Sequence, residues 1–301
     1  MRVVSLLPSA TEMLYALGVE PVGVSHECDY PPAARGKPAM NRSRVSGEGS
    51  SADVNEAVAD AADEGIYELD RDALRAADPD IVVTQGVCDV CAVGDRQVRE
   101  TVADLGLDAE IVSTHPHTLD DVLDDIERIG DVVGERQRAT DLVAELRSRV
   151  RAVEERTPAD GPRVAVLDWM DPVMVAGHWI PGMVEAAGGA YGLAEPSDRS
   201  TPREWAAIRE YDPEVLVVAP CGFGLDQTLA NVTELTGRDG WAELAAVRAG
   251  RVHAVDGHHY VNRPGPRLVD TLEHLAGLVH PDLFESPPTD VARPLGDTVR
   301  A

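Results

Sequence analysis

Apolar residues along the first third of this chain follow two alternating rhythms. Short unbroken apolar runs at residues 2–6, 21–25, 81–85 and 110–113 read as buried strands. Between them lie stretches with apolar residues at helical spacing, at 53–64, 71–77 and 95–105. Ser9, with Glu12 three residues on, has the pattern of a capping box and predicts a helix ending near Gly18. Residues 41–53 are polar and rich in Ser and Gly, as in a loop. Strand and helix in alternation predict a parallel sheet covered by helices.

The middle of the chain loses the strand rhythm. From Thr118 to about Arg156 apolar residues recur at helical spacing, from Leu119, Val122 and Leu123 through to Val150 and Val153. Gly134 divides the stretch into two helices, and the second, 135–155, spans about 30 Å at 1.5 Å per residue. After a Pro-flanked linker at 158–162 the alternation resumes, with strands at 163–168, 215–219 and 252–255. Residues 73–83 echo residues 207–217: in both, a helix stops before Asp-Pro or its equivalent and an apolar strand follows. The predicted fold is therefore α/β: two Rossmann-like lobes with parallel sheets, joined by a long backbone helix, with a ligand cleft between them. The expected boundaries are a first lobe at 1–117, a helical linker at 118–157, a second lobe at 158–285 and a flexible, Pro-rich tail at 286–301.

Charge narrows the partners. The chain carries 53 acidic residues against 27 Lys and Arg, a net charge of −26, and Lys37 is its only lysine. Such a surface repels nucleic-acid phosphates and anionic lipid heads, and it fits a solvated, salt-adapted exterior. No run approaches the roughly 18 apolar residues of a membrane-spanning helix, so no direct membrane insertion is expected. The opening apolar run stops at Pro8 and Glu12 follows, which does not make a signal peptide. The expected location is cytoplasmic, or extracytoplasmic if the true start lies upstream.

Chemistry gathers after the strands, on the edge where open α/β sheets bind ligands. His26 and Cys28 follow one strand, and Cys88 and Cys91 another. Imidazole and thiolate donors of this kind suit zinc or iron. Trp169, Trp179, Tyr260 and His258 lie in loops of the second half, where flat rings with one polar edge can wall a large ligand. His258 and His259 on a strand-like loop would point opposite ways. Gly-x-Ser-x-Gly, a phosphate-cradling Gly-Lys loop and a dinucleotide Gly fingerprint after the first strand are absent, so catalysis has no sequence support.

Three segments carry a resemblance: Val3 to Glu12, Gly177 to Gly189, and Arg263-Pro264-Gly265-Pro266-Arg267. Together they resemble signatures of the vitamin B12 and iron-siderophore substrate-binding proteins of ABC importers. His26-Glu27-Cys28-Asp29-Tyr30-Pro31 with Cys88-x-x-Cys91 is similar to a signal-less subgroup of the cobalamin-binding branch. The resemblance covers residues 2–281. It implies non-catalytic binding of a cobalamin-like corrinoid, with Trp169, Trp179, Tyr260, His258 and His26 as contacts and an ABC permease as partner. The alternative is a cytoplasmic metalloprotein or metal-dependent enzyme holding zinc or iron on His26, Cys28, Cys88 and Cys91.

Overall fold

The computed structural model describes residues 1–61, 65–87 and 92–296. The chain divides into two α/β units. The first comprises Met1–Ser46, Glu56–Pro116 and Asp120–Leu146; the second comprises Gly47–Asn55, His117–Leu119 and Arg147–Ala301. Residues 47–55, inside the expected first lobe, thus group with the second unit. The last of these boundaries, between Leu146 and Arg147, falls within a helix.

In chain order the elements are β1 (Val3–Ser5), α1 (Pro8–Ala16), β2 (Gly23–Val24), β3 (Asn41–Ser43), α2 (Ser51–Ala61) and β4 (Tyr67–Leu69). Then come α3 (Arg71–Ala77), β5 (Ile81–Gln85), α4 (Asp95–Leu105), β6 (Glu110–Thr114), α5 (Leu119–Val133) and α6 (Arg136–Glu154). The first unit's sheet has the order β2-β1-β5-β6, parallel throughout, and β3 and β4 form a separate antiparallel ribbon. Apolar side chains on both faces of β1 and β5 explain their unbroken runs; Val4, Leu6, Leu74, Val82 and Val98 meet in one core cluster.

Helix α1 corrects the capping-box reading. Pro8 occupies the first helical turn, Leu7 is the cap residue without a side-chain bond, and Ser9 and Glu12 are buried within the helix. A proline at the first position has no N–H to satisfy, so the helix starts two residues earlier than a cap at Ser9 would place it. Gly134 sits at φ +79° between α5 and α6, the break its sequence position predicts.

The second unit continues with β7 (Val164–Trp169), β8 (Met174–Val175), α7 (Ile180–Ala186), β9 (Thr201–Pro202), α8 (Trp205–Tyr211) and β10 (Val215–Val218). It ends with α9 (Leu225–Asn231), α10 (Thr233–Thr236), α11 (Ala245–Arg248), β11 (Val252–Val255), α12 (Leu268–Val279) and β12 (Ala292–Pro294). Its sheet runs β12-β11-β10-β7-β8-β9 and is parallel only at its centre, where β10 lies between β7 and β11. Strands β8, β9 and β12 add antiparallel edges, a departure from the all-parallel expectation. The tail expected to be flexible is held here: β12 pairs with β11, and Val291, Ala292 and Leu295 are buried. Three apolar side chains among prolines suffice to dock a short edge strand, which local composition does not reveal.

The echo between the two halves extends beyond backbone. Asp78 and Asp212 each end a helix in the left-handed region, at φ +40° and +48°. An arginine just before each unit's first strand closes the corner. Arg2 Nε donates to the carbonyls of Ala77 and Asp78 at 2.6 and 3.2 Å, and Arg163 Nε to those of Tyr211 and Asp212 at 3.0 and 3.1 Å. The backbone N–H of Arg2 donates to the carboxylate of Asp80, and that of Arg163 to Glu214. Each unit thus repeats one helix–strand corner, side chains included.

Candidate functional site

Strand β7 delivers Asp168, Trp169 and Asp171 to the carboxyl edge of the second unit's sheet, β10 delivers Cys221 to Gly224, and β11 delivers Asp256 to Tyr260. Loops from adjacent parallel strands converge at such an edge. A hollow of about 640 Å³ lies elsewhere, by Arg209, Asp212, Gly240 and Arg248, beyond the amino end of β10. Arg209 already pairs there with Asp239 and Glu243, so the hollow's charge is largely matched from within.

The segment after β11 forms one five-residue π-helical turn, Gly257–Val261. This corrects the strand-like reading of His258 and His259, whose rings stand 4.6 Å apart, edge to face. Asp256 caps the turn: Oδ1 accepts from the backbone N–H of His259 at 2.8 Å, and Oδ2 from its Nδ1 at 2.7 Å. A carboxylate can only accept, so Nδ1 carries the proton and the lone pair of neutral His259 is on Nε2. This carboxylate–imidazole pairing is the one that orients metal-binding histidines. His258 differs, because the guanidinium of Arg263 donates to its Nε2 at 2.6 Å. Asp256 fixes the orientation of the His259 ring, and the Asp-x-x-His spacing is the signal that could have found it.

The tryptophans expected as walls have structural duties. Trp169 is 9% exposed, packs on Phe223 at 5.2 Å and donates from Nε1 to the carbonyl of Ser51. Trp179 is 8% exposed and donates to the carbonyl of Val261. Each indole N–H is thus satisfied by backbone of the same unit, and little of either side chain is exposed. Tyr260 keeps more surface, its ring lying under the Arg267 guanidinium at 5.3 Å and beside His274. Ser51, at the start of α2, is fixed in turn by its backbone N–H and hydroxyl on the Glu234 carboxylate.

Burial pushes the Asp168 carboxyl up to about 6, against the opposing pull of the Ser200 hydroxyl. The residue keeps some exposed surface, but its Oδ1 is fully buried and has no hydrogen-bond partner. A carboxyl so placed changes charge just below neutral pH.

In the first unit His26 is anchored twice on Asn41, whose Oδ1 accepts from the backbone N–H and from Nδ1, both at 3.0 Å. That leaves the lone pair on Nε2, 3.9 Å from Glu27. Cys28 does not join it as a donor. The Cys28 side chain is 4% exposed, packed with Val24, Ala34 and Tyr15, and Sγ lies 3.1 Å from Thr11 Oγ1. Thr11 donates its own hydroxyl proton to Ser5 at 2.8 Å, which leaves the thiol as the donor to Thr11. A buried thiol serving a hydrogen-bond chain is a packing residue, whereas a metal ligand is a thiolate. Cys88 and Cys91, the other half of the expected cluster, lie outside the described residues.

Among the described residues no helix is long and apolar enough to cross a membrane. A family model described as periplasmic binding protein matches residues 3–258. An ABC transporter substrate-binding lipoprotein of Bacillus subtilis is 26% identical over 296 residues, covering 94% of this chain and 81% of that protein. A cobalamin-binding protein of Halobacterium salinarum is 28% identical over 287 residues, covering 93% of this chain and 69% of that one. In fold the chain is similar to a periplasmic heme-binding protein of Pseudomonas aeruginosa, with TM-score 0.70, 22% identity and 97% of each chain covered. These are substrate-binding proteins rather than enzymes. They also correct the cytoplasmic expectation, because the family is periplasmic and the Bacillus relative is a lipoprotein. The opening residues once read for an address are strand β1 and the start of α1, parts of the fold itself. With 256 of its 301 residues inside the family model, the chain belongs to the periplasmic binding protein family.

Proposed function

We propose that this protein binds a cobalamin-like corrinoid outside the cytoplasm and delivers it to an ABC permease. The observation that carries the reading is likeness along almost the whole chain to a protein named for cobalamin binding, at 28% identity. The carboxyl edge of the second unit supports it. There the half-buried Tyr260 offers aromatic surface, Trp169 and Trp179 are the proposed walls, and His258 and His259 the proposed polar contacts to a metal chelate. His26, held by Asn41, is the contact proposed from the first unit. The zinc or iron cluster loses support, because Cys28 is engaged in the core.

The test is retention. Purified protein is mixed with hydroxocobalamin, passed through gel filtration, and read for corrinoid absorbance in the protein peak, from low to molar salt. One equivalent co-eluting supports the reading. Retention of hemin with no retention of corrinoid assigns a different tetrapyrrole, and retention of neither overturns the reading.

A further inference from the structure

We propose that His117 and His178 form a second site, for a borderline divalent transition-metal ion such as nickel, copper or zinc. Both residues belong to the second unit. Their ring centres stand 5.6 Å apart with the planes at 32°. With metal–nitrogen bonds of about 2.0–2.1 Å, two imidazoles sharing one ion hold their ring centres roughly 5–6 Å apart. The observed spacing falls in that range.

Three features of His178 bear on this site. First, its Nδ1 is buried without a hydrogen-bond partner. Such an orphan costs about 1–3 kcal/mol and in native proteins signals an absent water or ion. Second, its backbone is left-handed at φ +53°, a region that histidine, like asparagine and aspartate, enters more often than other side chains do. Third, that conformation is fixed from outside: the His178 N–H donates to the Asp198 carbonyl at 2.5 Å, and its own carbonyl accepts from Ser197. Gly177 permits the approach, since a Cβ there would lie 2.3 Å from the Asp198 oxygen. The loop thus drives the imidazole into place between His117 and Trp179, which stacks on it at 5.6 Å.

The chemistry agrees. Imidazole pairs favour nickel, copper and zinc over magnesium or calcium, with copper tightest. Two protein donors leave the remaining positions to water, so the site is open and exchangeable rather than structural. It borders Trp179, a contact of the proposed corrinoid site, and its test is run without corrinoid, so the two readings can fail separately.

The experiment is calorimetric titration of the full chain with nickel and copper chlorides, in a Cys88→Ser, Cys91→Ser, Cys221→Ser background that leaves only the buried Cys28 thiol. The parent should bind one equivalent that His117→Ala and His178→Asn each weaken by at least about tenfold, the lower end of what even outer-shell changes cost. Asparagine is chosen at 178 because it tolerates the left-handed backbone; if that variant still unfolds, His117→Ala carries the test. His259→Ala should bind like the parent. A parent that binds neither ion, variants that bind like the parent, or a loss seen only in His259→Ala would each overturn the site.

Discussion

Asp256 grips His259 at two points, its two carboxylate oxygens accepting separately from the backbone N–H and the ring Nδ1. Backbone capping and ring orientation therefore depend on one side chain. Asp256→Ala should remove both, costing about 0.5–2 kcal/mol for the lost cap and lowering corrinoid retention. Asp256→Asn can still accept the backbone N–H but no longer holds the ring with a charge. Thermal melting should rank the variants wild type, Asn, Ala. If retention is unchanged in both, His259 does not contact the ligand.

Cys28 should behave as a core residue. Its thiol passes a hydrogen bond to Thr11, and Thr11 to Ser5, all three being buried. Cys28→Ala breaks the first link and leaves a small void, worth about 1–2 kcal/mol together. Cys28→Ser keeps the link and should lose less. Metal content by elemental analysis should match wild type in both variants, and a drop would return Cys28 to the list of ligands.

How far the sequence reached differs from residue to residue. Asp78-Pro79 and Asp212-Pro213 were readable because a residue before proline avoids the helical region and ends the helix locally. Gly134 was readable for a similar local reason. The orientation of His259 was not, since four residues fit a strand-like loop and a helical turn equally well until Asp256 caps the latter. Nor was the inward turn of Cys28, because His-x-Cys fixes spacing and says nothing of which way Sγ faces. Strand β12 depends wholly on pairing with β11, a partner some forty residues away in sequence. The tryptophans were rightly placed near the sheet edge, but their N–H bonds to Ser51 and Val261 are long-range and left no local trace.

Salt should stabilise the fold. With net charge −26 the native state is compressed against its own repulsion. The screening length falls from about 30 Å at 0.01 M to about 3 Å at 1 M salt. Screening also weakens surface pairs such as Arg42–Glu68 and Arg99–Asp95, but exposed pairs contribute only about 0–1 kcal/mol each. Unscreened repulsion among 53 carboxylates outweighs them. The melting temperature should therefore climb steadily from low to molar KCl. A flat or falling curve would show that the acidic excess is harmless without salt.

The last prediction concerns the buried Asp168 carboxyl. Its proton affinity corresponds to about 6 in the folded chain, against the ordinary 3.8, with burial as the main cause. A folded value above the unfolded one means the native state holds the proton more tightly. The associated stability is fully present below about 3.8 and is lost as the pH rises through about 6. At 1.36 kcal/mol per pH unit the loss is at most about 3 kcal/mol. Asp168→Asn removes the charge while keeping the shape and a group to bond Ser200. In urea melts the variant should be more stable than wild type at pH 8, and the gap should close towards pH 4. His253 acts in the opposite sense. Burial holds it neutral down to about 4, so it destabilises the fold as the pH falls from 6.5. That contribution is common to both proteins and cancels in their difference. A gap independent of pH would mean that Asp168 is not desolvated in the folded state and that the gain comes from packing alone.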